Sequence, residues 1–447
     1  MGRIRNTGIL GGKPTAGCKK RMAAAHIVVH YHELWLKGGN RKFFQSKMRI
    51  GLKRALEGLR VARITEPGSR YVVELADASQ LAEALERLER VFGIANLGVA
   101  RAIQREKPGT ASTVTPGEFS DDPLGPLREA AWEEVRGEQF TTFAVRAKRS
   151  DKRFPADALT IERQVGGYLH DQLVAAGRQV RVDLRKPELT CRIEITPGPI
   201  FIYARRIPGA GGLPANTAGR LTCLLSGGFD SAVAAFKLMR RGAHVDFVHF
   251  WGGGARPGES SVHVARELVK QLVPWQHTAR LYLVPFEPLQ REIVRSAPER
   301  FRILLYRRLM LRIAARIARA GHSKGLITGD SLGQVASQTL QNMAAVGAAT
   351  RLPIYRPLAG DDKLEILALA RKIGTHDISA EPFHDCCPVF QPKAPALFAT
   401  PEELDAAESQ LDLEEMVRSA LAPMAVVRYC YTQGKVEAAE ALRKATA

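Results

Sequence analysis

The chain has 447 residues, a formal charge of +19, 45% hydrophobic and 25% charged residues; that length calls for several cores, and that balance excludes wholesale disorder. No run approaches the ~18 apolar residues of a membrane-spanning helix, and the basic residues 1–21 lack an apolar signal core, so a cytoplasmic protein with no membrane partner is expected. Six cysteines without a C-x-x-C pair favour reduced thiols over a disulfide scaffold or a zinc ribbon, and the excess of Lys and Arg suits a polyanionic partner.

Residues 1–25 read as a basic, disordered leader. Ile27-Val28-Val29-His30-Tyr31 then reads as a strand, Phe44, Met48, Leu52 and Leu56 as a helix face, and Tyr71-Val72-Val73-Glu74-Leu75 as a second strand. Leu81, Leu85, Leu88 and Val91 mark another helix, and a further strand follows Gly93. This makes a ferredoxin-like α+β unit over residues 26–106. The stretch 107–122 is rich in Pro, Gly, Ser and Thr and opens a second unit that runs to 207. Strands at 142–146, 180–184, 189–195 and 200–204 accompany a helix with Ile161, Val165, Leu169 and Leu173 on one face. Arg146, Lys148, Arg149, Lys152 and Arg153 crowd the end of its first strand. So dense a single-sign cluster points to a phosphate-binding surface rather than to an ordinary solvated face.

A breaker-rich connector at 208–214 leads into a third unit, 208–395, whose strands at 221–225, 245–250, 281–286, 325–328 and 354–358 alternate with helical stretches. That alternation predicts a doubly wound parallel α/β sheet, with ligands at the C-terminal strand ends. Residues 396–447 read as a helical tail.

The chemistry concentrates where Leu221-Thr222-Cys223-Leu224-Leu225 meets Ser226-Gly227-Gly228-Phe229-Asp230-Ser231 and a helix follows. Glycines let the backbone approach an anion, and the helix N-terminus offers unpaired N–H groups. The loop has no lysine, so it is not the ordinary kinase and GTPase phosphate loop. Asp230 conflicts with bare phosphate, and Mg²⁺ resolves the conflict.

Strand, SGG-x-DS and helix together resemble the PP-loop ATP pyrophosphatases. The resemblance extends to the tRNA 4-thiouridine synthetase family through residues 31–41, Phe143-Ala144-Val145-Arg146-Ala147-Lys148-Arg149-Ser150-Asp151-Lys152, Arg206-Ile207-Pro208-Gly209, the run 328–339, Arg356-Pro357-Leu358 and Asp362-Lys363. It covers about residues 27–395 and makes the second unit similar to a THUMP RNA-binding domain. The resemblance implies pyrophosphate at Ser226, Gly227, Gly228, Phe229, Asp230 and Ser231, and adenosine contacts at Leu224, Leu225, His249 and Phe250, with Arg307, Gly329 and Gln338 at the other nucleotide positions. It implies ATP with Mg²⁺, tRNA as substrate with position 8 as its target, and a cysteine desulfurase or other persulfide donor. It also implies Cys387 as the thiol that carries sulfur, with Cys386 beside it. A second thiol would come from Cys386, Cys430, a partner or free reductant; whether a homodimer forms stays open. Some members carry a C-terminal rhodanese domain, and residues 396–447 do not resemble one. Without the resemblance, the residues leave open a PP-loop enzyme for another nucleoside or an acid, and a noncatalytic RNA-binding protein.

Overall fold

A computed structural model describes residues 25–31, 33–105, 122–252, 261–382 and 392–441. The leader and Cys386 and Cys387 lie outside the described residues. The first unit contains β1 (Ala25–Tyr31), α1 (Arg41–Ala55), β2 (Val61–Thr65), β3 (Tyr71–Leu75), α2 (Leu81–Glu89) and β4 (Ile94–Ile103). The second contains α3 (Gly125–Val135), β5 (Thr142–Arg149), α4 (Ala158–Ala175), β6 (Arg181–Val182), β7 (Leu189–Ile195), β8 (Ile200–Tyr203) and β9 (Ile207–Pro208).

These two units share one sheet, in the order β2-β3-β1-β4-β8-β7-β5-β6. The ten-residue β4 makes this work. Its first part pairs with β1, Val28 facing Gly98, and its last part pairs with β8, Ile103 facing Ile200. Ile27 and Val29 of β1 enter the core under α1 and α2, while Val28 packs with Phe201 and Tyr203 on the other face. Burial on both faces explains why β1 reads as a continuous apolar run.

A buried polar cluster locks the two units together. Glu194 takes the His30 ring at 2.7 Å, the Tyr203 hydroxyl at 2.7 Å and the Arg70 guanidinium at 2.6 Å. Burial works to raise the Glu194 carboxyl, but His30, Arg70 and Tyr203 outweigh it and hold it down at about 2.

The third unit contains β10 (Arg220–Leu224), α5 (Phe229–Met239), β11 (His244–Trp251), α6 (Ser261–Leu272), β12 (Thr278–Pro285), α7 (Glu287–Ser296), α8 (Arg302–Ala320), β13 (Leu326–Ile327), α9 (Leu340–Gly347), β14 (Ile354–Tyr355), α10 (Lys363–Lys372), α11 (His376–Ala380), α12 (Pro401–Glu408), α13 (Leu413–Leu421), β15 (Ala425–Thr432) and β16 (Lys435–Ala441). Its sheet runs β14-β13-β10-β11-β12-β15-β16. The first five strands are parallel, and β15 and β16 close the edge antiparallel. Cores on its two faces are built with α5 and α6 on one side and α8 and α13 on the other.

The chain order reverses at β10. From there it moves outward through β11 and β12, then crosses back to place β13 on the opposite flank. The crevice beyond the C-terminal ends of β10 and β13 is therefore the topological switch point, where open α/β sheets bind ligands.

The helical reading of residues 396–447 is corrected. Two helices do form, but β15 and β16 follow and extend the ATP-loop sheet, with Tyr282 facing Val426. The turn of this hairpin reaches the first unit, where Arg87 donates to Gln433 O at 3.2 Å. The ring of Phe92, also from the first unit, stacks on Trp275 at 5.3 Å and enters the third unit's core.

Candidate active site

The loop after β10 is braced by its own serines. Ser231 Oγ accepts from Ser226 N at 3.0 Å and sits 3.1 Å from Ser226 Oγ, which in turn accepts from Gly228 N at 3.3 Å. Gly228 caps α5 without a side-chain cap, so the first amides of the helix are left to a ligand. Gly329, after β13, lies directly on this loop. A Cβ there would stand 2.7 Å from Ser231 N and 2.8 Å from the Asp230 carbonyl carbon. Its role is close approach of two backbones rather than a side-chain contact.

Around the loop is a cavity of about 560 Å³, lined among others by Leu224, Ser226, Asp230, Ser231, Arg307 and Gln338. Gln338 Oε1 is buried with no hydrogen-bond partner among the described residues. Asp230 is held from two sides, by Lys363 Nζ at 2.7 Å and by Gln334 Nε2 at 3.2 Å. The capping box of α10, between Asp362 and Glu365, fixes the helix start that carries Lys363. Phe229 lies under the same ammonium, 5.5 Å from Lys363 Nζ to the ring centroid.

The sequence reading left out Asp330, a second acidic centre. Asp330 is 4% exposed, and its carboxylate takes Arg307, the Thr328 hydroxyl at 2.7 Å and Arg356 Nε at 3.2 Å. Burial pushes its carboxyl up; the Arg307 charge and the other donors outweigh burial and hold it below its ordinary value. Asp330 thus orients two guanidinium groups on the cavity wall, as phosphate recognition requires. Arg307 is further tied to Ser337 Oγ at 2.9 Å. The signal was present in the 328–339 run, but the pairing of Asp330 with Arg356 depends on β13 and β14 lying side by side.

Of the four expected adenosine contacts, three have side chains packed in the interior rather than on the cavity wall. His249 is 1% exposed and spans Leu225 O at 2.8 Å and Ser261 Oγ at 2.9 Å. Phe250 packs edge-on against Phe286 at 5.3 Å, and the Leu225 side chain is in the core under α5. Alternation puts Leu225 and His249 on the face covered by α5 and α6, and Leu224 and Phe250 on the α8 face, where Leu224 lines the cavity.

Comparison with known proteins supplies the identity. The family model described as thiamine biosynthesis protein (ThiI) matches residues 216–413, the ThiI ferredoxin-like domain matches 26–98, and the THUMP domain matches 127–205. A probable tRNA sulfurtransferase of Thermus thermophilus is 40% identical over 405 residues, covering 91% of this chain and 94% of the relative. One from Moorella thermoacetica is 36% identical, covering 88% and 95%. The chain belongs to the tRNA sulfurtransferase family. A crystal structure of a 4-thiouridine synthetase–RNA complex with bound ATP superposes with a TM-score of 0.77 at 29% identity, covering 91% of this chain and all of the other.

Within this tRNA sulfurtransferase fold, the five basic residues clustered near the end of β5 divide. Lys148, Lys152 and Arg153 are exposed at the end of β5 and beyond it. Arg149 donates to Phe154 O and Ala156 O, and Arg146 to Leu184 O, so these two brace the loop as well as charging it. Arg153 is anchored by Asp151 at 2.9 Å.

The described cysteines are poorly suited to carry sulfur. Burial pushes the Cys191 thiol up to about 12 and raises the Cys223 thiol as well, which suppresses the nucleophilic thiolate. Cys430 faces Thr278 at the start of β12, the strand end opposite the cavity, about 20 Å away along the strand. Pro392, Pro395 and Ala396 line the cavity, and Cys387 precedes Pro392 by five positions in the sequence.

Proposed function

We propose that this chain thiolates tRNA in the cytoplasm, using ATP to convert a uridine, at position 8 by family resemblance, into 4-thiouridine. The observation that carries this reading is the braced Ser226–Ser231 loop at the switch point, facing Arg307 and Arg356 across one cavity, with Lys363 on Asp230 beside it. The β- and γ-phosphates of ATP would lie on the loop amides, with the guanidinium groups along the triphosphate. Asp230 with the two loop serines fits a Mg²⁺ ion that arrives with ATP, because Mg²⁺ takes one or two carboxylates together with substrate phosphates. Bound there, the ion would neutralise phosphate charge.

Uridine O4 attacks the α-phosphorus, pyrophosphate leaves, and the N3 proton is lost to solvent. The terminal sulfur of a Cys387 persulfide then attacks C4, and AMP departs with the oxygen. A second thiol breaks the S–S bond. Cys386 suits this step better than Cys430, which lies at the far end of the sheet; the resulting disulfide is reopened by a reductant. Sulfur is supplied by a persulfide donor such as a cysteine desulfurase, and a homodimer would let one subunit's RNA-binding units serve the other's cavity.

The mechanism is tested by pyrophosphate release. ATP, tRNA and enzyme without a sulfur donor should yield pyrophosphate and adenylated tRNA; release of ADP and phosphate would refute adenylation.

A further inference from the structure

The segment 331–350 holds no charged residue, and neither does 394–401, in a chain that is 25% charged with a net charge of +19. The fold brings these two uncharged segments side by side. Asn342 of α9 is buried, and its Nδ2 donates to Ala336 O at 2.7 Å and to Ala396 O at 2.9 Å, while its Oδ1 accepts from Ala399 N at 2.9 Å. Thr339, which caps α9, donates its hydroxyl to Leu397 O at 2.7 Å. One buried amide and one hydroxyl thus clamp both backbones.

The side chains carried on this clamped surface are apolar and open to water. Leu340 is 67% exposed and Phe398 68%, with Leu332, Val335 and Leu397 about half exposed. Apolar side chains held out together on a rigid surface mark a contact with another molecule. Their place in the fold indicates which one. Val335 and Ala396 also line the ATP cavity, together with Pro392 and Pro395, so the surface forms one side of the cavity mouth. Cys387 precedes Pro392 by five positions, a tether of at most about 18 Å.

A polyanion gains little on such a surface, because phosphates are drawn by Lys and Arg. The flanking charges are of both signs: Arg300, whose carbonyl accepts from Ala396 N at 3.0 Å, faces Glu403 at 3.8 Å. An uncharged, aromatic-bearing patch with charge only at its edge is instead the make-up of a protein–protein contact.

We propose that this rim is the docking surface for the protein that delivers sulfur, with Leu340, Leu397 and Phe398 packed on an apolar face around the donor's exposed persulfide. The proposal rests on the reading that Cys387 carries the sulfur. In the transfer, the Cys387 thiolate attacks the terminal sulfur of the donor's persulfide. A new S–S bond forms as the donor's breaks, the donor cysteine leaves as a thiolate, and no further oxidant or reductant is required.

The test compares two sulfur sources on the full chain with ATP and a tRNA transcript. One is a bacterial cysteine desulfurase with L-cysteine; the other is glutathione persulfide, a small donor that needs no protein surface. Leu340→Ser combined with Phe398→Ser should raise the desulfurase concentration for half-maximal thiolation about tenfold or more. Thiolation from glutathione persulfide, tRNA affinity and the melting temperature should be retained. If the double variant melts early, Phe398→Ser alone should raise the half-maximal concentration about fivefold. An unchanged desulfurase requirement in the folded variant would overturn the proposal, as would sulfur uptake by the unaltered chain from glutathione persulfide alone. Equal loss with both donors would make the rim part of the cavity; loss of tRNA affinity would make it an RNA surface; a changed oligomeric state would make it a contact between copies, and each of these overturns it too. Absence of 4-thiouridine from the unaltered chain with either donor would instead remove the thiolation reading itself.

Discussion

Lys363 Nζ stands 2.7 Å from Asp230 Oδ1 at the mouth of the ATP loop. The pair joins α5 to α10, so the loop's acidic residue is positioned by a helix more than a hundred residues later. Both groups are partly exposed, at 44% and 22%, so the pair itself adds little stability. Its consequence is electrostatic: phosphate entering the loop meets the ammonium, and an arriving cation meets the carboxylate. Asp230→Asn and Lys363→Met should each lower thiolation by about 100-fold or more, while tRNA affinity and the melting temperature stay within error. Steady-state kinetics with both variants check this.

Gly329→Ala should damage ATP binding through the backbone. The added methyl would press on Ser231 N and the Asp230 carbonyl carbon, and such overpacking costs about 1–3 kcal/mol. Calorimetry should show weaker ATP binding with tRNA affinity retained.

Thiol substitutions should separate the two half-reactions. Cys387→Ala is expected to abolish 4-thiouridine while adenylation, read as pyrophosphate release on adding tRNA, persists. Cys430→Ser should leave thiolation unchanged, because Cys430 sits at the opposite end of the sheet. Radiolabelled pyrophosphate and nucleoside chromatography read both variants.

Acid should loosen the interdomain contacts in a defined order. His277 is buried, and burial, helped by Arg54, lowers it to about 4; the folded state binds fewer protons than the unfolded one, so its contribution falls as pH drops from 6.5 towards 4. Glu194, also lowered, to about 2, contributes fully above 4.5 and loses that contribution between 4.5 and 2. Urea melts at stepped pH should show stability level above 6.5 and declining below it. Glu194→Gln should flatten the curve below pH 4.5.

Much of the fold and the heart of the site were legible because their causes are local. Gly227, Gly228 and the cap of α5 specify the loop within a few residues, and the apolar run 221–225 marks the strand before it. What was not legible depends on distant partners. Lys435-Val436-Glu437-Ala438-Ala439-Glu440-Ala441 is made of good helix formers, yet pairing with β15 makes it a strand. The directions of the His249 and Phe250 side chains were not legible, because strand order decides which face of β11 meets α6 and α8. The shared sheet of the first two units rests on β4 serving both, which no periodicity announces.

The central claim is that the braced loop activates a tRNA uridine for sulfur. The most direct measurement is mass spectrometry of nucleosides from tRNA incubated with enzyme, ATP and a persulfide donor, using the Asp230→Asn variant as control. The account predicts 4-thiouridine that requires ATP and is lost in the variant. Formation of 4-thiouridine without ATP, or its persistence in the variant, would contradict it.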